Sequence, residues 1–318
     1  MANTSLVLSQ ELHLAQKVFL ATSILNKPIT AIDRTIDAII ENPDMVKKVP
    51  QPSQVESEGI RSSSYSGLLE RLIDSENGSG ISSGADHFVP ISGNAIVVKS
   101  AEHVVAQPDV SYAVMGYGDF SIKHSEHFKK IEPGFKTLLV PRNVQPFLRW
   151  LINQRNWIAD SLLQVYLAIG KKQADFLFYL EPQQLVVLPR ARLPSETGTD
   201  YDQSIYSRLL QGRSVRIESP NGTAVLPVGF LLPTKDHVTA YNIVPRINTV
   251  FEEEFRDKRA YSDSQIRQRV GTIARRTVAK YRLSAEIPDN RERQAQYDQG
   301  ISTPYKVRMA IEAYLPNR

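Results

Sequence analysis

The chain has 318 residues, of which 42% are hydrophobic and 23% are charged, a balance typical of a globular protein with a sizeable core. It contains no cysteine, which excludes disulfides, zinc–thiolate sites, iron–sulfur clusters and cysteine nucleophiles. No apolar run of about 18 residues is present, so the sequence predicts no membrane span. The first residues also lack the basic start and apolar core of a secretory signal.

The formal net charge is +4, and it is unevenly distributed. Residues 1–90 carry seven basic and eleven acidic side chains, a net charge of −4. Residues 91–195 carry twelve basic and eight acidic side chains, and residues 196–318 carry nineteen and fifteen, so each part is +4. A basic body attracts nucleic acid or another anionic surface, although a charge of this size also fits an ordinary globular surface.

The first 90 residues predict two helices and a linker. Residues 9–22 and Thr30–Glu41 have apolar side chains at helical spacing, and Thr30 is the predicted N-cap of the second helix. Residues 49–90 are rich in Ser, Gly, Pro and Glu, as in a linker or mobile loop, with one short helix over Tyr65–Asp74. The predicted units are an N-terminal helical leader (1–48), a flexible linker (49–90), a β-rich domain with a long helix (91–195) and an α+β C-terminal part (196–318).

Beyond this linker, short β-branched or alternating segments separated by turn signals predict strands. They are Ala95–Lys99, Glu102–Ala106, Ser111–Met115, Asp119–Lys123, Phe135–Val140, Phe176–Leu180, Leu185–Leu188, Val215–Glu218, Ala224–Val228 and His237–Ile243. The predicted helices are Asn143–Ile169, Asp200–Leu210, Asn248–Phe255, the basic helix described next and a last helix from Thr303. The predicted class is α+β: mainly antiparallel β-sheets packed with helices, a basic C-terminal helix and a flexible Ser/Gly-rich N-terminal insert.

The most basic stretch runs from Arg256 to Arg282, with nine Lys or Arg and two Asp. Ser262 and Gln265 have the spacing of a capping box, and apolar residues then recur at helical spacing as far as Tyr281. The sequence therefore predicts one helix with a buried stripe and cations elsewhere. The cations expected to hold the phosphates of a nucleic acid are Arg269, Arg275, Arg276, Lys280 and Arg282.

A second basic region, Lys123–Lys172, holds nine Lys or Arg and three acidic residues. Its Gly170-Lys171-Lys172 is similar to part of the Gly-x-x-Gly loop with which KH domains grip RNA, although Gln173 replaces the second glycine. Lys171 and Lys172 are therefore predicted phosphate ligands. Tyr112, Tyr117 and Phe120, in or near predicted strands and turns, are the candidates for stacking on bases; the alternative is that they pack inside the protein.

The sequence carries no catalytic signature: the phosphate-binding loop, HExxH and GxSxG are absent. His124 and His127 lack a third metal ligand, and Asp200 and Asp202 are typical of a helix N-terminus. No metal, no cofactor and no enzymatic activity are therefore predicted. A nuclease would need Asp200, Asp202 and Asp236 to meet in space.

The order of elements over Val110–Ile158 (SYAVMGYGDFSIKH, then FKKIEPGFKTLLVPRNVQPFLRWLINQRNWI) resembles Whirly-type single-strand-binding domains. The lysine–glycine motif of the plant family is absent, so no binding role is carried over residue by residue. The lack of cysteine, the Ser/Gly-rich insert and the missing enzyme motifs are similar to the phage-nucleus-associated RNA-binding protein of nucleus-forming jumbo phages. That resemblance implies messenger RNA binding without catalysis in the cytosol of an infected bacterium.

These observations predict a non-enzymatic single-stranded nucleic-acid-binding protein, of RNA before DNA, with little sequence preference. A viral or phage origin, a cytoplasmic location and no membrane partner are expected with it. Self-association through the N-terminal helices is left open. The alternative hypothesis is a viral structural, shell or scaffold protein whose basic faces meet protein partners.

Overall fold

The computed structural model describes residues 25, 27–46, 72, 108–116, 118–124, 126–199, 201–271 and 273–316. The predicted helix at 9–22, the linker apart from residue 72, and the strands Ala95–Lys99 and Glu102–Ala106 lie outside these residues. Within them, no helix is both long enough and apolar enough to cross a membrane.

The described part of the chain combines one small sheet with a larger number of helices. The strands are β1 (Val110–Gly116), β2 (Asp119–His124), β3 (Ser214–Ser219) and β4 (Gly222–Pro227). The helices are α1 (Ile29–Glu41), α2 (Pro133–Thr137), α3 (Gln145–Lys172), α4 (Ala174–Tyr179), α5 (Leu193–Thr197), α6 (Gln203–Leu209), α7 (Lys235–Asp257), α8 (Asp263–Val270), α9 (Arg275–Ser284) and α10 (Asn290–Asp298). One apolar core runs from Leu25 to Ile311.

The four strands form one mixed sheet in the order β2-β1-β3-β4. The pairs β1–β2 and β3–β4 are antiparallel hairpins, whereas β1 and β3 are parallel, with Tyr112 opposite Ile217. A parallel pair needs a crossover connection, and the chain between β2 and β3 supplies it through α2 to α6. The expected α+β mixture of helices and strands is present, but the prediction of mainly antiparallel sheets is wrong.

The hairpins and the long helix lie where the sequence places them. The strands predicted at Ser111–Met115, Asp119–Lys123, Val215–Glu218 and Ala224–Val228 correspond to β1 to β4, and Gly222 has the positive φ of 130° that the second turn requires. The helix expected over Asn143–Ile169 is α3, which begins at Gln145 without a side-chain cap. Similarly, α1 has no cap at Thr30 and starts after Pro28.

Four predicted strands are wrong. Residues of Phe135–Val140, Phe176–Leu180 and His237–Ile243 belong to α2, α4 and α7, because a short apolar run does not distinguish a strand from a helix. Leu185–Leu188 forms no strand, since the amide and carbonyl of Val186 bond to the side chain of Gln173 instead.

The C-terminal region also differs from the predictions. The polar segment after residue 287, expected to be a connector, contains α10, whose N-cap Asp289 accepts hydrogen bonds from the amides of Arg291 and Glu292. The helix expected from Thr303 is absent. The amide and carbonyl of Val307 bond instead to the side chain of Asn248 in α7, at 2.8 and 2.9 Å. Only Ala310–Tyr314 makes a 3₁₀ turn.

Candidate nucleic-acid interface

The basic segment is two helices rather than one. The helix begun at Ser262 ends at Val270, and Gly271 follows with φ +99° and ψ −137°, a conformation that glycine adopts far more readily than other residues. Ala274 is extended (φ −77°, ψ 145°), and α9 begins at Arg275. The prediction of a continuous helix is therefore wrong. In the sequence, Gly271 indicates the break between the two helices, because a glycine commonly follows the last residue of a helix.

The N-terminus of α8 is fixed by the predicted capping box. The Ser262 hydroxyl accepts a hydrogen bond from the amide of Gln265, and the Gln265 side chain accepts one from the amide of Ser262 at 2.8 Å. Ile266 and Val270 bury the inner side of α8. The guanidinium of Arg246 on α7 reaches the carbonyl of Val270 at 3.4 Å. The first helix of the pair is therefore held at both ends.

An ion pair joins α9 to the start of α8. Arg282 is only 9% exposed, and its Nε and Nη2 donate to the two carboxylate oxygens of Asp263 at 3.0 and 3.2 Å. Its Nη1 donates to the carbonyl of Ile287 at 2.9 Å. Val278 and Tyr281 are buried on the same side of α9. The structure therefore uses Arg282 to connect the two helices, and its guanidinium does not face solvent.

The remaining surface of α9 presents cations to solvent. Arg275, Arg276 and Lys280 are exposed, and no carboxylate of the described residues lies within ion-pair distance of them. They differ in this from Arg269 on α8, whose guanidinium lies 3.7 Å from the ring centroid of Tyr261 and 3.8 Å from a carboxylate oxygen of Glu253. The three cations of α9 can therefore meet a polyanion without first breaking an ion pair.

A buried ion pair supports the segment that leads into α8. Glu254 on α7 and Arg293 on α10 are both 0% exposed and are joined by two hydrogen bonds of 3.0 Å. Glu254 also accepts from the amide of Tyr261 at 2.6 Å, and Arg293 donates to the carbonyl of the same residue at 2.7 Å. Tyr261 directly precedes the capping residue of α8, so this pair sets where α8 begins.

The other predicted binding residues lie on different elements. Lys171 and Lys172 are exposed in the last turn of α3 rather than in a loop, and Lys172 pairs with Glu196 at 3.0 Å. Phe120 is partly buried, and its ring packs edge-on against Tyr112, with the centroids 6.0 Å apart. Tyr117 lies outside the described residues. Arg275, Arg276 and Lys280 therefore lie together on α9. The two lysines lie on α3 and Phe120 lies on β2.

Two side chains considered above for metal binding or catalysis, His127 and Asp202, have structural partners instead. His127 contacts Asp33 at 2.7 Å, and the described residues contain no group of three or more His, Asp or Glu that could hold a metal. Asp202 caps α6, and its hydrogen bonds with Ser204 lower the pKa of its carboxyl. His237 completes the capping box of α7, and burial lowers the pKa of its imidazole.

Residues 141–295, from the turn before α3 to α10, match the model of the Sigma-54 DNA-binding domain family. This match to a DNA-binding, non-enzymatic family confirms the expectations of nucleic-acid binding and of a protein that is not an enzyme. The predicted resemblances to Whirly domains and to the phage-nucleus-associated protein are wrong, because the family that matches is a different one. The match gives no support to a viral origin.

Among solved structures, the chain is similar to one titled as the crystal structure of Aquifex aeolicus sigmaN bound to promoter DNA. The sequence identity is 20% and the TM-score is 0.36, with 81% of this chain and 77% of that chain covered. No curated protein matches the chain.

Proposed function

We propose that this protein binds duplex DNA through α8 and α9, with α9 in the major groove. The observation that carries the proposal is the pair of short helices joined by a four-residue connection containing Gly271. The second helix exposes cations that form no ion pair with any described residue. Two helices joined by a turn of three or four residues, often with glycine, are the helix-turn-helix motif. In that motif the second helix enters the major groove and the first crosses the backbone.

The geometry favours duplex DNA over the RNA expected from the sequence. The major groove of B-DNA is wide enough to admit an α-helix, whereas the major groove of A-form RNA is too deep and narrow for side chains to read. A single-strand binder would need exposed aromatic rings beside its cations. The exposed surface of α9 offers Arg275, Arg276 and Lys280 but no aromatic ring, since Tyr281 is only 6% exposed.

The family match supports a role in transcription, as the sigma-54 name indicates. The protein would then act in the cytoplasm of a bacterium, where α8 and α9 place it on DNA. Lys171, Lys172, Arg269 and Phe120 stay in the proposal as secondary contacts, and Arg282 as the residue that holds α9 in place.

The test is a titration of labelled duplex DNA, single-stranded DNA and single-stranded RNA, at about 50 and 200 mM salt, followed by fluorescence anisotropy. The duplex should bind most tightly. If Arg275, Arg276 and Lys280 each neutralise one phosphate, they contribute about −2.7 to the slope of log K against log salt. Arg275→Glu/Arg276→Glu should weaken duplex binding at every salt concentration and flatten that slope.

Two matched double variants complete the experiment. Lys129→Glu/Lys130→Glu makes the same charge change on exposed side chains after β2, and it should bind duplex nearly as well as the wild type. Lys171→Glu/Lys172→Glu tests the secondary site on α3. The proposal would be contradicted if single-stranded RNA bound more tightly than duplex. It would also be contradicted if a folded Arg275→Glu/Arg276→Glu protein bound duplex as tightly as the wild type.

A further inference from the structure

The side chains on α9 that point furthest from the protein form one ridge. The buried side of this helix is defined by Val278, Tyr281 and Arg282. At 100° per residue, the opposite direction lies closest to Arg276, Lys280 and Leu283. Arg276 and Leu283 are seven residues apart, so they point the same way to within about 20°.

Leu283 is apolar on a ridge that is otherwise cationic, and it is 65% exposed. Its side chain is not part of the buried core. A single exposed leucine needs no explanation on its own. Here, however, it is aligned with Arg276 on the helix that the proposed function places in the major groove. An apolar side chain gains little from a phosphate, whereas the base edges of the major groove include an apolar methyl group.

We propose that Leu283 contacts the C5-methyl group of a thymine and so makes the protein select an A·T pair at one position of its site. This inference rests on the proposed function. In the major groove the thymine methyl is the apolar feature of the base edges, and side chains recognise it by apolar contact. The cationic part of the ridge cannot supply this selectivity, because charge favours acceptor oxygens and nitrogens instead.

Helix geometry also limits how far the thymine can lie from Arg276 along the duplex. Seven residues span about 10 Å along a helix axis. Base pairs are spaced about 3.4 Å apart along the duplex axis, and a helix in the groove is inclined to that axis, so the thymine should lie within about three base pairs of the pair nearest to Arg276. The inference therefore specifies a base, an atom and a largest spacing.

The test uses a duplex that the full-length wild-type protein selects from a random-sequence library. Each thymine is replaced in turn by deoxyuridine, which lacks only the methyl group. At one position the replacement should weaken wild-type binding about fourfold, the effect of losing one buried methyl contact. Leu283→Ala should bind the thymine and deoxyuridine duplexes equally well.

The matched control is Leu138→Ala, which truncates another leucine, 77% exposed, outside α9. It should retain the fourfold effect of deoxyuridine. If no thymine distinguishes the wild type from Leu283→Ala, or if no sequence is enriched from the library, the inference is overturned. Salt-dependent duplex binding that is lost in Arg275→Glu/Arg276→Glu would still uphold the proposed function. If the wild type shows no salt-dependent binding of duplex DNA, both the proposed function and the inference about Leu283 are wrong.

Discussion

The buried pair of Glu254 and Arg293 gives the sharpest stability prediction. Replacing Arg293 by Met keeps most of the side-chain length but removes the partner of a carboxylate that is 0% exposed. Two hydrogen bonds to Glu254 are lost, and the carbonyls of Pro288 and Tyr261 lose their guanidinium donors. Removing one member of a buried ion pair costs about 3–5 kcal/mol, because the remaining charge stays buried without compensation.

The assay is urea unfolding followed by far-ultraviolet circular dichroism, from which the free energy of unfolding is extrapolated to water. Arg293→Met should lose about 3–5 kcal/mol. The control Arg291→Met, an exposed arginine on the same helix, should stay within about 0.5 kcal/mol of the wild type. Glu254→Gln/Arg293→Met should lose less than the sum of its two single variants, since it removes both charges. A loss below about 1 kcal/mol in Arg293→Met would refute this reasoning.

Three further predictions concern glycines and a helix cap. Gly271→Ala should cost about 1–3 kcal/mol through backbone strain alone, since no atom lies within 4 Å of the added Cβ. Gly134→Ala, which also meets nothing within 4 Å but lacks a positive φ, is its near-neutral control in the same urea assay. Gly170→Ala should cost about 1–3 kcal/mol by overpacking, because its Cβ would lie 2.8 Å from the rings of Phe120 and Tyr112, and a near-neutral result would contradict that packing. Hydrogen bonds from the amides of Glu292 and Arg291 lower the pKa of Asp289. A carboxyl whose pKa is lowered by folding stabilises the fold at pH values above its unfolded pKa of about 3.9. This stabilisation is lost as the pH falls through the pKa of the folded state. Asp289→Ala should therefore be less stable than the wild type at pH 7, with the difference vanishing in acid; a difference independent of pH would disprove the cap's charge dependence.

Local signals predicted part of the interface. Ser262 and Gln265 identified the start of α8 because a capping box involves residues only three positions apart. The hairpin at β3 and β4 was predictable for the same reason, since its turn chemistry lies within a few residues. The break at Gly271 was missed because apolar residues continue at helical spacing across it, from Ile266 to Val278.

Contacts between distant residues could not be predicted in this way. Arg282 looked like one more free cation, but it pairs with Asp263, 19 residues earlier, only once α8 and α9 fold back on each other. The parallel pairing of β1 with β3 likewise joins segments about 100 residues apart, as between Val110 and Val215. Periodicity describes one element at a time and carries no information on such pairings.

The measurement that most directly tests the central claim asks which groove α9 occupies. The chain has no cysteine, so Lys280→Cys introduces a unique thiol on the exposed side of α9. Its target is the library-selected duplex, carrying a thiol tether either on cytosine N4, in the major groove, or on guanine N2, in the minor groove. The account predicts disulfide crosslinks to the major-groove tether, and none from a Lys129→Cys control. Crosslinks to the minor-groove tether alone, or equal yields from both cysteine variants, would contradict it.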